Sequence, residues 1–265
     1  MSDPGVEREE RGALCEMGAA GVANESPPAR TIRHTPLVSI LIPTLDEARE
    51  LPDLLDHLAA LPGDWETIVA DGGSCDATLQ IAQGHPSRPR VVVQAGGRAA
   101  QLNAAAKVAT GDILLFLHAD SRLPADAHAS LADAWRSTPD VAGGNFALRF
   151  GDDDRATFER ILGAVYRLQR RHGYYYGDSS VWVRREAFAA LAGFREIPIM
   201  DDYDFVRRLE HSGATCCLPG PATTSSRRWR AAGIPRTVLA WVVIRRLYVA
   251  GVSPDRLARL YRAVR

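Results

Sequence analysis

Apolar and polar positions along this chain recur with two different periods. Val38-Ser39-Ile40-Leu41-Ile42 is a run of strand length, closed by Pro43. Over residues 46–61 the period lengthens, with Leu51, Leu54, Leu55, Leu58 and Leu61 at helical spacing. Residues 65–70 read as a second strand, stopped by Asp71-Gly72-Gly73. Residues 75–83 read as a helix that Ser74 or Asp76 can cap. Residues 90–94 form a third strand, and 98–109 an alanine-rich helix behind Gly96-Gly97. Ile113-Leu114-Leu115-Phe116-Leu117 is apolar at every position, the pattern of a strand covered on both faces. The second half is less regular: a strand over 144–150, a helix over 155–171, a strand over 176–184 and a helix over 202–211.

Four strands alternating with helices over about 80 residues predict an α/β fold, a doubly wound and mostly parallel sheet flanked by helices. The chain of 265 residues suits a single such domain and is short for two. Ligands of these sheets sit at the carboxyl ends of the strands. The residues to inspect are therefore 43–47, 71–76, 96–98 and 118–120.

Composition adds limits. The formal net charge is zero, so nothing marks a nucleic-acid binder. Cys15, Cys75, Cys216 and Cys217 have no metal-binding spacing, and scattered thiols suit a reducing cytoplasm. Residues 1–36 lack an apolar core segment and read as a disordered leader. No apolar run approaches the roughly 20 residues of a membrane helix. The charge is uneven, however: residues 227–265 hold ten arginines and one acid, Asp255.

Asp71 could accept a hydrogen bond from a base or ribose, its glycines admitting a ligand to the backbone; a plain Asp-Gly turn is the simpler reading. Gly96-Gly97-Arg98 at a helix start suits phosphate, or is only a helix start with a surface arginine. Asp120, leaving a buried strand, is placed for Mg²⁺ or Mn²⁺, or caps a turn. His118 reads more simply as a core histidine. Asp201-Asp202 opens a helix, where the dipole favours acids; the functional reading makes Asp202 a general base. Gly177-Asp178 could line an acceptor pocket, or belong to a hairpin. Arg227-Arg228 offers cations to a leaving diphosphate, or is a surface patch.

The order of these motifs is more specific than any of them alone. Pro43-Thr44-Leu45-Asp46-Glu47, Asp71-Gly72-Gly73-Ser74-Cys75-Asp76, Gly97-Arg98 with Gln101 and Asn103, and Leu117-His118-Ala119-Asp120 resemble the family 2 glycosyltransferases of GT-A fold. With Gly177-Asp178, Met200-Asp201-Asp202 and Arg227-Arg228-Trp229, the series resembles the subgroup labelled arsenosugar-biosynthesis or radical-SAM/selenodomain-associated glycosyltransferases. The resemblance covers roughly residues 37–255. It implies a GT-A domain over 37–234, followed by a basic helical segment over 235–265.

The resemblance also implies roles. Pro43, Thr44, Glu47, Asp71, Gly97, Arg98 and Asn103 would hold the nucleotide. Asp120 would hold the divalent cation, matching the last acid of a DxD motif. Asp202, with Asp201 beside it, would be catalytic. Arg227, Arg228, Trp229, Gly177 and Asp178 would face the diphosphate or acceptor. The chain departs from the pattern at His118, where a DxD motif has its first Asp, at Asp201, where Glu is usual, and at Ser225, where QxxRW has Gln. The implied reaction is inverting transfer from a nucleotide-sugar, a UDP-sugar such as UDP-glucose, to a hydroxyl of a small or lipid-like acceptor. Two other readings compete: nucleotidyl transfer to sugar phosphates, and a non-catalytic nucleotide-sugar-binding module. The arginines of 235–265, behind an apolar run over 238–244, fit either a helix packed on the core or peripheral contact with the inner face of the cytoplasmic membrane.

Overall fold

A computed structural model describes residues 35–151, 156–225 and 234–264. Eight strands form one sheet in the order β3-β2-β1-β4-β7-β6-β8-β5. The first four strands are β1 (Val38–Thr44), β2 (Trp65–Asp71), β3 (Arg90–Val93) and β4 (Ile113–Phe116), all parallel. They are linked by α1 (Leu51–Ala60), α2 (Thr78–Gly84) and α3 (Arg98–Val108). Each βα unit thus returns its chain to the same sheet edge, and the loops after β1, β2 and β4 share one rim.

The second half is mixed. It comprises β5 (Ser121–Arg122), α4 (Ala127–Ser137), β6 (Val141–Gly151) and α5 (Ala156–Arg171), then β7 (Trp182–Arg184), α6 (Arg185–Ala190), α7 (Asp201–Ser212) and β8 (Ala214–Ser225). β7 runs antiparallel to both β4 and β6, while β8 lies parallel to β6. The expected strand over 176–184 is instead a 3-10 turn, Gly177–Ser179, followed by the three residues of β7. Pro43 does not end β1, which runs to Thr44. The Leu41 carbonyl accepts from the Leu117 amide, so by alternation Pro43 faces β4 too, beyond the end of their pairing. No partner there requires the amide hydrogen that proline lacks.

Both faces of the sheet are covered. One core is built on Ile40, Ile42, Leu54, Leu115, Leu131 and Trp182. The other gathers Leu41, Ile68, Leu102, Phe116, Phe205 and Leu209. β4 is buried at every position, as its unbroken apolar run predicts. A third cluster joins Met200 and Tyr203 to Ile244, Leu257 and Ala258, from α8 (Ile234–Val249) and α9 (Pro254–Val264). The C-terminal helices therefore pack on the body of the protein beside α7.

Candidate active site

The loops after β1 and β2 hold each other. Asp46, at φ 55°, accepts the amides of Cys75 at 2.7 Å and Asp76 at 3.3 Å. Its own amide donates to the Ser74 hydroxyl, while the Glu47 and Ala48 amides donate to the Thr78 hydroxyl and the Asp76 carboxylate. Asp71, 1% exposed, is the hub. Its Oδ1 accepts the amides of Gly73 and Ser74, each at 2.9 Å, and its Oδ2 takes the hydroxyls of Ser74 at 2.5 Å and Thr44 at 3.2 Å. Burial pushes the Asp71 carboxyl up, but the bonds from Ser74, Gly73 and Thr44 outweigh it and hold it below its ordinary value.

The two glycines after Asp71 do different jobs. A Cβ on Gly72 would lie 2.2 Å from Nε2 of Gln101, a buried side chain that donates to the Thr44 carbonyl at 2.8 Å. Gly72 thus makes room for the protein's own Gln101, not for a ligand. Gly73 and Gly97, at φ 95° and 93°, have nothing within 4 Å of a built Cβ among the described residues. Against those residues their backbone faces open space, where a ligand can lie against it.

Arg98 opens α3 and reaches across to α7. Its Nε donates to Oδ2 of Asp201 at 2.9 Å and its NH2 to Oδ1 at 2.5 Å, a two-point grip. The same NH2 lies 3.4 Å from Oδ2 of Asp202. Burial opposes the guanidinium charge, but Asp202 and Asp201 outweigh it, and the pKa is raised. Asp202 also accepts the Gly177 amide at 3.0 Å through Oδ2 and the Tyr203 amide at 2.8 Å through Oδ1. Pro43, Arg98, His118, Gly177 and Asp202 share the wall of one small cavity, backed by Phe116, Phe194 and Phe205. A Cβ on Gly177 would sit 2.9 Å from Nε2 of His118 and 3.5 Å from Oδ2 of Asp202. Glycine there lets the imidazole and the carboxylate flank one backbone position. Met200, just before Asp201, and Ser180, just after the 3-10 turn, hold left-handed φ of 67° and 51°. Such backbone costs on the order of 1 kcal/mol each and concentrates at functional sites.

Asp178 lies in that 3-10 turn, and its Oδ2 accepts the Tyr166 hydroxyl of α5 at 2.5 Å. Its Oδ1 is buried with no hydrogen-bond partner. Burial pushes the carboxyl up to about 7; the Tyr166 bond and Arg98 oppose this, while the charges of Asp202 and Asp120 add to it. Asp120, in the turn after β4, thus acts on the same electrostatic neighbourhood as Asp178, Asp202 and Arg98. Among the described residues no three His, Cys, Asp or Glu side chains are grouped to hold a metal ion.

The fold therefore brings Pro43, Arg98, Gly177, Asp178, Asp201 and Asp202 together, with Asp120 within electrostatic reach. Asn103 is engaged elsewhere: its Nδ2 donates to the Phe194 carbonyl and its Oδ1 accepts the Phe194 amide, each at 2.9 Å. Arg227, Arg228 and Trp229 lie outside the described residues. Sequence reasoning missed Tyr166, whose only signal was a helical pattern over 155–171. It also missed Gln101 as the reason for Gly72, because the pair is 29 positions apart with no shared periodicity.

Comparison with known proteins gives the same outline. The model of glycosyl transferase family 2 matches residues 39–194, more than half of the chain. A PGL/p-HBAD biosynthesis glycosyltransferase of Mycobacterium tuberculosis is 40% identical over 94 residues, which are 33% of this chain and 37% of that protein. The match thus spans little more than a third of the relative's length. Among solved structures, a mannosyltransferase from Pyrobaculum calidifontis in complex with GDP-Man and Mn²⁺ superposes with a TM-score of 0.59 at 20% identity, covering 88% of this chain and 70% of that one. S. aureus TarS 1–349 in complex with UDP-GlcNAc gives 0.58 at 17% identity, covering 71% and 58%. At these identities the likeness is one of fold.

Proposed function

The chain belongs to glycosyl transferase family 2, and from that premise we propose that it is an inverting, metal-assisted glycosyltransferase. It moves a sugar from a nucleotide-sugar, a UDP-sugar such as UDP-glucose, to a hydroxyl of a small or lipid-like acceptor. The observation that carries this reading is the unequal treatment of two adjacent acids. Asp201, its side chain 6% exposed, is neutralised by the two-point grip of Arg98. Asp202 keeps 15% exposure and lines the cavity shared with Pro43 and His118. Asp201 is an anchor with both oxygens held by Arg98; Asp202 meets Arg98 at a single 3.4 Å contact and is the acid we assign to accept a proton.

In this reading the nucleotide lies across Pro43, Thr44, Glu47, Asp71, Gly97 and Arg98. The open backbone at Gly73 and Gly97 supports this placement. Asp202 takes the proton of the acceptor hydroxyl as that oxygen attacks the anomeric carbon and the nucleoside diphosphate leaves. A single displacement inverts the centre. A divalent cation, Mn²⁺ or Mg²⁺, would supply charge neutralisation for the leaving diphosphate. Asp120 is the residue that would hold it. With no three-ligand group among the described residues, the chemistry fits one carboxylate plus donor phosphates. Arg227, Arg228 and Trp229 would assist the diphosphate, with Gly177 and Asp178 on the acceptor side. We place the transferase domain at 37–234 and treat 235–265 as a segment packed on it. On its motif series we assign the chain a resemblance to the arsenosugar-biosynthesis-type subgroup. No helix among the described residues is long and apolar enough to cross a membrane.

A thermal-shift screen of UDP-, GDP- and dTDP-sugars with and without Mn²⁺ tests the donor assignment. A metal-dependent rise with a UDP-sugar, and only a small rise with Mn²⁺ alone, is expected. The Asp120→Ala variant should lose the metal-dependent increment. Product formation from UTP plus a sugar 1-phosphate, with none from any nucleotide-sugar, would overturn the reading.

A further inference from the structure

Helix α8 has two apolar faces, and among the described residues the packing partners lie on one of them. Ile244 is 2% exposed, and with Trp241, Leu247 and Tyr248 it packs into the cluster that contains Met200 and Tyr203. That face is further fixed by ring contacts between Trp241 and Tyr176 at 6.1 Å, and between Tyr248 and Tyr203 at 5.9 Å. The Tyr248 hydroxyl donates to buried Asp204 at 3.1 Å, and the Arg245 guanidinium stacks on Tyr174 at 4.5 Å. The opposite face points outward. Leu239 is 64% exposed, Val243 41% and Val249 66%. At about 100° per residue, Leu239, Val243, Arg246 and Ala250 fall within an arc of about 60°, roughly opposite Ile244 and Tyr248, and Val249 lies at its margin, about 60° beyond Arg246. On α9, Leu260 is exposed as well, at 42%.

The charge carried by these two helices is mostly basic. Arg236, Arg246, Arg256 and Arg259 are exposed, and Asp255 is the single acid in residues 235–265. An apolar stripe with an arginine at its centre and more beside it matches an interface of acyl chains below anionic headgroups. A protein partner with an acidic rim could meet the charges. An anionic lipid surface meets both features at once, the arginines through its phosphates and the apolar side chains through its acyl chains.

We propose that the outer face of α8, with the exposed end of α9, docks this protein on an anionic membrane surface. Leu239, Val243 and Val249 enter the headgroup–acyl boundary, and the arginines pair with phosphates. The inner face of the same helix touches Tyr176 and Tyr203, each adjacent in sequence to a residue of the site, Gly177 and Asp202. The helix, about 10 Å thick, and the tyrosines on its inner face then lie between the lipid surface and the site. A membrane-borne acceptor is the substrate class that this placement serves. That last step rests on the glycosyl-transfer reading; the docking itself does not.

The test uses the full chain and vesicle flotation. Vesicles of phosphatidylcholine with phosphatidylglycerol are compared with phosphatidylcholine alone. The protein is expected to float with the anionic vesicles and to be released by high salt. The triple variant Leu239→Gln, Val243→Gln, Val249→Gln should partition at least about tenfold more weakly. Arg246→Gln should lose about fivefold at low salt. Each variant is checked for an unchanged melting temperature and an unchanged thermal shift with the UDP-sugar. Those two readouts report folding and the donor site separately from docking. Failure of the wild type to float, or flotation of the triple variant equal to wild type, overturns the proposal. So does a wild-type dimer that the triple variant dissociates without any vesicle binding.

Discussion

Arg98, the first residue of α3, grips Asp201, the first residue of α7, through bonds of 2.9 and 2.5 Å across 103 positions of chain. The pair ties the parallel half of the sheet to the helix that bears Asp202. Asp201 is almost fully buried, so removing Arg98 leaves an uncompensated charge. Arg98→Ala should cost about 3 kcal/mol in chemical denaturation, near the low end for a broken buried pair because Arg98 is partly exposed. Arg98→Lys should recover little, since an ammonium cannot form the two-point contact. In a double-mutant cycle Asp201→Asn should relieve much of the penalty.

Asp202 is held by two backbone amides and shares Arg98 with Asp201, whose two-point contact stays in place when Asp202 loses its charge. Asp202→Asn should therefore fold with a melting temperature near that of the wild type and keep its donor-induced thermal shift. Transfer should fall by roughly 10²- to 10⁴-fold, the range for loss of a general base. Full activity in this variant would assign the base elsewhere.

Gly177 has no room for a side chain. A methyl group would meet the His118 ring nitrogen at 2.9 Å and Asp202 at 3.5 Å. Gly177→Ala should destabilise by about 1–3 kcal/mol through overpacking. Truncating the imidazole in Gly177→Ala/His118→Ala should return part of that loss. Equal melting temperatures for the single and double variants would place the strain elsewhere.

Asp178 gives a pH signature. Burial, with the charges of Asp202 and Asp120, moves its carboxyl from 3.8 up to about 7. Below pH 4 the group is protonated in both the folded and unfolded chains and costs nothing. Between about 4 and 7 the unfolded chain has released the proton and the fold has not. Stability contributed by this group therefore falls as pH rises through that window and levels off above about 7. Asp178→Asn can still accept from Tyr166 and should remove this decline. Its stability should match wild type near pH 4 and exceed it above pH 7, by a few kcal/mol at most. Parallel pH–stability curves for the two proteins would contradict the assignment.

Local patterns in the sequence determined the parallel half of this protein. An unbroken apolar run of five residues bounded by polar turns has the pattern of a strand covered on both faces, and strand-helix alternation imposes the crossover that lines up the loops after β1, β2 and β4. The acids and glycines on that rim were legible for the same reason, because their positions follow from where each strand stops. What required the tertiary structure is everything that depends on two distant segments meeting. Gly72 is glycine because Gln101 fills its space, while Gly73, its neighbour, faces open solvent. Sequence reasoning chose Asp202 over Asp201 with no physical difference between them, and the structure supplies one: Arg98 makes a two-point contact with Asp201 and a single one, at 3.4 Å, with Asp202, which also lines the cavity. The apolar positions of α8 carried two readings in the sequence, a core face or a lipid face. The structure shows core packing for Ile244 and Tyr248 and exposure for Leu239 and Val243, and the lipid face is the proposal made for the exposed side. Periodicity along one segment reports which side of it is apolar, and only contact with the rest of the chain decides what each side meets.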